Sequence, residues 1–117
     1  MIPKFMLKKL YLKGSLKQEG EEISFQLLNT IYPATIIGLD PLKIDEKEFD
    51  ASKIKVIVNE KEINLDSISE ENPFKLTKGD TFTFKVSGKL ELGKHTIDFS
   101  LFTKEAGKIA FDVEDEF

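Results

Sequence analysis

The sequence predicts an all-β domain, an antiparallel two-sheet β-sandwich of immunoglobulin-like or jelly-roll-like form with about eight to ten short strands. Apolar and polar residues alternate in three runs between Asp80 and Phe117, as is typical of strands with one buried face. Further strand-like runs recur at spacings of about ten residues. No segment keeps the helical apolar period of about 3.6 residues for three turns. The whole chain, residues 1–117, is predicted to form one domain.

The first predicted strand contains Leu10, Leu12 and Leu16, and a turn at residues 18–21 returns it to a partner strand. Pro33 and Pro41 exclude a central strand at their own positions and leave residues 34–39 as a short strand between them. The remaining predicted strands contain, in order, Leu42 and Ile44, Phe49, Ile54 to Val58, Ile63 and Leu65, Phe82 to Val86, Ile97 to Leu101, and Ile109 to Val113.

Two similar segments, residues 44–50 and 58–64, each place four polar residues between two apolar ones. We interpret both as tight turns, in which Asp45 or Asn59 bonds the local backbone or adopts a positive φ angle.

The composition excludes several kinds of chemistry. The chain has no cysteine, which excludes disulfides, thiolate catalysis and cysteine-based metal sites. Its basic residues are all lysine and its net charge is −4, so a basic surface for nucleic acid is not expected. The lysine-rich N-terminus has neither the uncharged core of a signal peptide nor the apolar length of a membrane span. We therefore expect a cytoplasmic protein with no membrane association, and the Lys/Glu-rich composition fits a thermophile.

The single histidine, His95, shares the parity of Ile97 and Phe99 and so enters its strand on the inward side. Gly93 lies two residues before His95, in the turn that precedes the strand. One interpretation is a general base or ligand-binding residue, with Glu91 and Asp98 nearby in sequence. The other is a half-buried histidine that bonds a loop carbonyl at the sheet edge.

Aromatic residues offer a second candidate surface. Phe102 interrupts the polar face of its strand, and Tyr11 and Tyr32 occur where side chains can reach solvent. Exposed aromatic rings mark protein contacts or sugar platforms, although the same rings can simply pack on neighbouring loops. We select His95, Gly93, Phe102 and Tyr32 as candidate binding residues.

No catalytic residue, metal ligand or cofactor is assigned from the sequence. No serine lies in a Gly-x-Ser-x-Gly elbow, and no phosphate loop, dinucleotide fingerprint or Asp-rich calcium loop occurs. The C-terminal acidic run is interpreted as the polar face of a strand.

Several short motifs resemble one family, and they include Leu92-Gly93-x-His95-x-Ile97, Leu42-x-Ile44-Asp45 with Glu48, Lys78-Gly79-Asp80, Phe25-x-Leu27-x-Asn29, the stretch Ile36 to Leu39, and Phe111-x-Val113-x-Asp115. Residues 22–117 thereby resemble the small β-subunit domain of C-glycoside deglycosidases. The resemblance implies a β-sandwich that pairs with a separate metal-dependent barrel subunit, with Gly93 and His95 as shared positions. The chain departs from that family in lacking tryptophan and in having Glu46 and Lys47 where a glycine-containing turn is usual.

Three functions remain open at the level of sequence. The leading one is a non-catalytic accessory subunit or protein-interaction module of a larger complex, acting on a protein partner or on a second copy of itself. The second is a small-ligand or carbohydrate-binding module that uses loop aromatics. The third is an autonomous enzyme built around His95.

Overall fold

The computed structural model describes residues 3–31 and 33–117. These residues form one short helix, eleven strands and two single-turn 3-10 helices. The elements are α1 (Lys4–Lys8), β1 (Lys17–Glu19), β2 (Glu22–Leu28), β3 (Ala34–Leu39), β4 (Leu42–Ile44), β5 (Lys47–Phe49), a 3-10 helix (Ala51–Lys53), β6 (Ile54–Val58), β7 (Lys61–Asn64), a 3-10 helix (Leu65–Ser67), β8 (Phe74–Leu76), β9 (Thr81–Ser87), β10 (Lys94–Thr103) and β11 (Gly107–Glu116).

The strands form two antiparallel sheets, which confirms the predicted all-β sandwich. The first sheet has the order β1-β2-β9-β6-β7. In the second sheet β10 pairs with β11 along its whole length. Both β3 and β4 pair with the other side of β10, and they pair in turn with β8 and β5.

A bulge separates β3 from β4. Leu39 is opposite Leu101, but Lys43 is opposite Asp98, so one extra residue has been inserted between the two pairs. The insertion coincides with Pro41, which has no N–H to contribute to the ladder, and strands tolerate proline at such bulges. The two prolines therefore delimit β3 as expected.

Phenylalanine rings join the two sheets at the centre of the sandwich. Phe25 of β2 stacks on Phe84 of β9, with ring centroids 5.2 Å apart, and meets Phe99 of β10 edge-on at 5.7 Å. Phe99 in turn stacks on Phe111 of β11 at 4.9 Å. The alternating residues of these strands are therefore the core, and fully burying each such ring contributes about 1.5–3 kcal/mol.

The N-terminal part of the chain differs from the prediction of a first strand through Leu10, Leu12 and Leu16. The segment begins with α1, continues through one isolated bridge between Tyr11 and Leu27, and turns at Gly14 before β1 begins at Lys17. Its backbone still follows β2, because Leu28 N donates to Leu10 O at 2.7 Å and Leu12 N donates to Gln26 O at 3.0 Å. Lysines break the alternation here, and the chain bends away to reach β11.

Candidate functional site

His95 is the second residue of β10. It is almost fully buried, with 8% of its surface exposed. Its inward position on the strand is as predicted. The Nδ1 atom is 2.5 Å from Asp45 Oδ2, and the Nε2 atom is 2.6 Å from the backbone oxygen of Glu91. Both ring nitrogens are thus occupied by protein acceptors. This is the second of the two interpretations of His95, a histidine that bonds a loop carbonyl at the sheet edge.

The Asp45 side chain reaches His95 from the β4–β5 turn. Asp45 and Glu46 have φ angles of +52° and +69°, a combination that defines a type I′ hairpin turn. Asp45 N donates to Thr96 O at 2.9 Å, and Asp45 Oδ1 accepts from Thr96 N at 2.9 Å. The turn is therefore held against β10 by backbone and side chain together. Asn59 and Glu60 form the matching turn, with φ angles of +51° and +67°, so both predicted tight turns are confirmed.

The geometry favours the protonated form of His95. A carboxylate and a backbone carbonyl oxygen accept hydrogen bonds but donate none, so both contacts are hydrogen bonds only when both imidazole nitrogens carry a proton. Burial opposes the charged form, but the hydrogen bonds to Asp45 and Glu91 outweigh it and raise the pKa of His95. Burial likewise opposes the charge on Asp45, yet the hydrogen bond from His95 lowers the pKa of that carboxyl overall. An imidazolium with both N–H groups engaged has no lone pair with which to accept a substrate proton.

Gly93 supports this arrangement through its backbone. Its φ angle is +131°, a region that only glycine adopts without strain. Gly93 N donates to Phe117 O at 3.3 Å and Phe117 N donates to Gly93 O at 3.4 Å, which places the Phe117 ring against the imidazole at 5.7 Å between centroids. Gly93 and His95 are therefore joined through Phe117 at the start of β10.

A second buried polar group lies opposite His95 on β11. Asp115 is 4% exposed, and its carboxylate accepts from the Tyr11 hydroxyl at 2.7 Å, Gly14 N at 2.9 Å and Leu16 N at 3.1 Å. Burial disfavours its charge, but these donors keep the pKa of Asp115 below its ordinary value. Burial and the bond to Asp115 raise the pKa of Tyr11 well above its usual range.

Sequence reasoning assigned Asp115 to a polar strand face, which is wrong. The signal was present, because Asp115 has the parity of Ile109, Phe111 and Val113 and therefore points inward. Asp45 was also missed as the partner of His95. Glu91 and Asp98 were considered because they are close in sequence, but Glu91 contributes only its carbonyl oxygen.

The two aromatic candidates have different outcomes. Phe102 is on the outer face of β10, between Gly38 on β3 and Lys108 on β11. A methyl group at Gly38 would be 3.6 Å from the Phe102 ring, so the ring covers the glycine, and Lys108 Nζ is 5.9 Å from its centroid. Phe102 remains 36% exposed and available as a contact. Tyr32 lies outside the described residues.

A cavity of about 120 Å³ lies between the sheets, along the second half of β10. Several hydrophobic side chains pack against the core but are only partly buried. Most of them line this cavity, including Leu27, Ile31, Leu76 and Ile109. The cavity thus borders a part of the core that is incompletely buried. The cavity lies towards the end of β10, and His95 is not among the residues that line it.

Among residues 3–31 and 33–117, no group of three or more His, Cys, Asp or Glu side chains is placed to hold a metal ion. The helices described within those ranges include none of the length and apolar character that crossing a membrane requires.

Comparison with known proteins identifies the family. The model of the hydroxymethylglutaryl-CoA reductase N-terminal domain matches residues 6–117. No curated protein sequence matches the chain. The resemblance to C-glycoside deglycosidases is not confirmed by this match. The chain belongs to the family of hydroxymethylglutaryl-CoA reductase N-terminal domains.

Proposed function

We propose that this chain is a non-catalytic domain that binds the catalytic part of a hydroxymethylglutaryl-CoA reductase. The observation that carries the proposal is the family match over residues 6–117, since the family is defined as one domain of a larger enzyme. The state of His95 supports it, because both nitrogens of this single histidine are bonded to protein acceptors and neither is free to act as a general base on a substrate.

The surface that we propose for this contact is the exposed side of α1. Phe5 is 64% exposed and Met6 is 37% exposed, while Leu7 of the same helix is buried in the core. Adjacent exposed phenylalanine and methionine side chains are typical of protein interfaces. Lys4, Lys8 and Lys9 border them, so the partner surface should combine an apolar patch with an acidic rim.

The proposal is tested by purifying the tagged chain with the catalytic portion of the reductase from the same organism. We expect a stable complex, and a Phe5→Asp/Met6→Asp variant should weaken it at least tenfold in a titration. Leu92→Asp is the matched control, because Leu92 is 82% exposed and lies outside α1, in the segment before β10. The Leu92 variant should bind as the unchanged chain does.

Two results would contradict the proposal. One is a chain that remains alone beside the catalytic portion at concentrations well above those in the cell. The other is a chain that associates only with itself, which would favour a homo-oligomer instead. Equal binding by the α1 and Leu92 variants would show that the contact uses another surface, such as Phe102.

A further inference from the structure

The cavity between the sheets has the properties of a ligand site. Its volume is about 120 Å³, whereas an engineered apolar cavity of about 150 Å³ stays free of water and binds benzene. The lining comes from both sheets and from the N-terminal segment, and includes Leu10, Leu27, Phe74, Leu76 and Ile109. A space of this size and character is poorly suited to water, which needs two to four polar partners.

The polar groups at the margin of the cavity are engaged with other parts of the protein. Thr103 Oγ1 donates to Gly107 O at 3.1 Å and accepts from Ala106 N at 3.0 Å. Glu105 accepts from Thr35 N and from Thr35 Oγ1, both at 2.8 Å. Three further polar residues line the cavity, and they too are bonded to protein groups. Ser100 Oγ donates to Asp40 Oδ2 at 2.7 Å, and Asn29 Oδ1 accepts from Ile31 N at 3.4 Å. The site therefore selects for apolar shape and against buried hydrogen-bonding groups.

We propose that this cavity binds a small apolar hydrocarbon group, the size of one six-membered ring or a short branched chain. The driving force is burial of apolar surface, which contributes about 25 cal/mol per Å². The inference is independent of the proposed contact through α1, because it concerns the isolated chain.

The first experiment measures the thermal midpoint of the isolated chain with benzene, with cyclohexane and with phenol. Benzene and cyclohexane should raise the midpoint by several degrees, because binding to the folded state alone stabilises it. Phenol at the same concentration should have a smaller effect, since its hydroxyl would be buried without a partner. No rise with either hydrocarbon would overturn the proposal, as would an equal or larger rise with phenol.

A pair of variants tests the location. Ala34 lines the cavity at the start of β3, so Ala34→Ile should fill part of the space and abolish the benzene-dependent rise. Ala110 is exposed on the outer face of β11, and Ala110→Ile should keep the rise. Equal responses of the two variants would overturn the assignment.

Intermolecular NOEs in the unmodified chain provide a readout that does not depend on any variant folding. Benzene should give NOEs to methyl groups of Leu27, Leu76 and Ile109. NOEs confined to Met6 or Leu92, both of which are exposed, would overturn the proposal by showing non-specific surface contact.

Discussion

The two ends of the β10–β11 pair differ in the chemical character of their buried residues. At the beginning of β10, His95 and the facing Asp115 are buried and bonded to protein groups at several atoms each. At the other end, the interior is apolar and contains a cavity of about 120 Å³. One pair of strands, in one sheet, thus supports a polar network at one end and a void at the other.

The difference follows from the fact that hydrogen bonds are directional and apolar contacts are not. Hydrogen bonds require particular distances and angles, so a buried polar group must have its partner in place. Among the residues that the structure describes, no buried side-chain nitrogen or oxygen lacks one. Apolar contacts have no preferred direction, and a missing contact costs only the dispersion energy of the atoms that line the gap. A domain can therefore tolerate a cavity at its apolar end but not an unpaired group at its polar end.

The largest expected effect compares two isoleucine truncations on paired strands. Ile97 is fully buried near the polar end, and Ile109 is partly buried beside the cavity. Ile97→Ala should cost about 4 kcal/mol in unfolding free energy, and Ile109→Ala about 2 kcal/mol, because the second side chain has fewer contacts to lose. Urea unfolding monitored by circular dichroism measures both. Equal losses would mean that the two ends are packed alike.

The next effect tests the buried carboxylate. Asp115→Asn should cost about 3 kcal/mol, because the amide oxygen can replace only one carboxylate oxygen. With that oxygen at the Oδ2 position, the amide nitrogen at the Oδ1 position cannot accept from the N–H groups of Gly14 and Glu116. Asp112→Asn, on the opposite face of the same strand, should change stability by less than about 0.5 kcal/mol. Parallel denaturant titrations compare the two variants. A small loss at Asp115 would show that the N-terminal segment is held mainly by apolar contacts.

A smaller, stabilising effect is expected at the two type I′ turns. Glu46 and Glu60 each have a positive φ angle, which is unfavourable for a residue with a side chain. Glu46→Gly and Glu60→Gly should each raise the free energy of unfolding by about 0.5–1 kcal/mol, and the thermal midpoint should rise with it. Differential scanning calorimetry detects such a change. A gain at Glu60 with a loss at Glu46 would reveal that Glu46 contributes to the polar end in a way its backbone angle does not indicate.

The smallest effect is the pH dependence of the His95–Asp45 pair, because Asp45 is about half exposed. Because the pKa of His95 is raised in the folded state, its ion pair contributes fully to the free energy of unfolding below about pH 6.5. That contribution is lost as the pH rises through the folded-state pKa. For Asp45 the contribution is lost only when the pH falls through its lowered pKa. The unfolding free energy should thus decline as the pH rises above about 6.5, by a margin that Asp45→Asn reduces. An unchanged pH profile in that variant would show that the pH dependence does not come from the contact between His95 and Asp45.

Much of the fold followed from local patterns in the sequence. The alternation around Phe84, Phe99 and Phe111 predicts their shared core because strand parity depends only on neighbouring residues. Pro33 and Pro41 delimit β3, and the polar tetrads at Asp45 and Asn59 predict the two turns, for equally local reasons. The same logic placed His95 on the inward side.

The unpredicted parts depend on contacts between distant segments. Asp45 meets His95 across 50 positions of the chain, and Tyr11 meets Asp115 across 104. No periodicity encodes such a pairing. The cavity is equally invisible in the sequence, because it depends on how far two sheets separate rather than on which residues face inward. The short helix α1 escaped prediction because five residues are too few to display a helical period.

The contact between Tyr11 and Asp115 also has a consequence for how the domain is made. A ribosome synthesises Tyr11 104 positions before Asp115, so this pairing cannot form until the chain has emerged as far as Asp115. Until then the backbone of the segment before β1 can bond to β2, through Leu10 and Leu12, but not to β11. Closure of the N-terminal segment is therefore a late event in folding, since loops of such length are entropically the most costly to close.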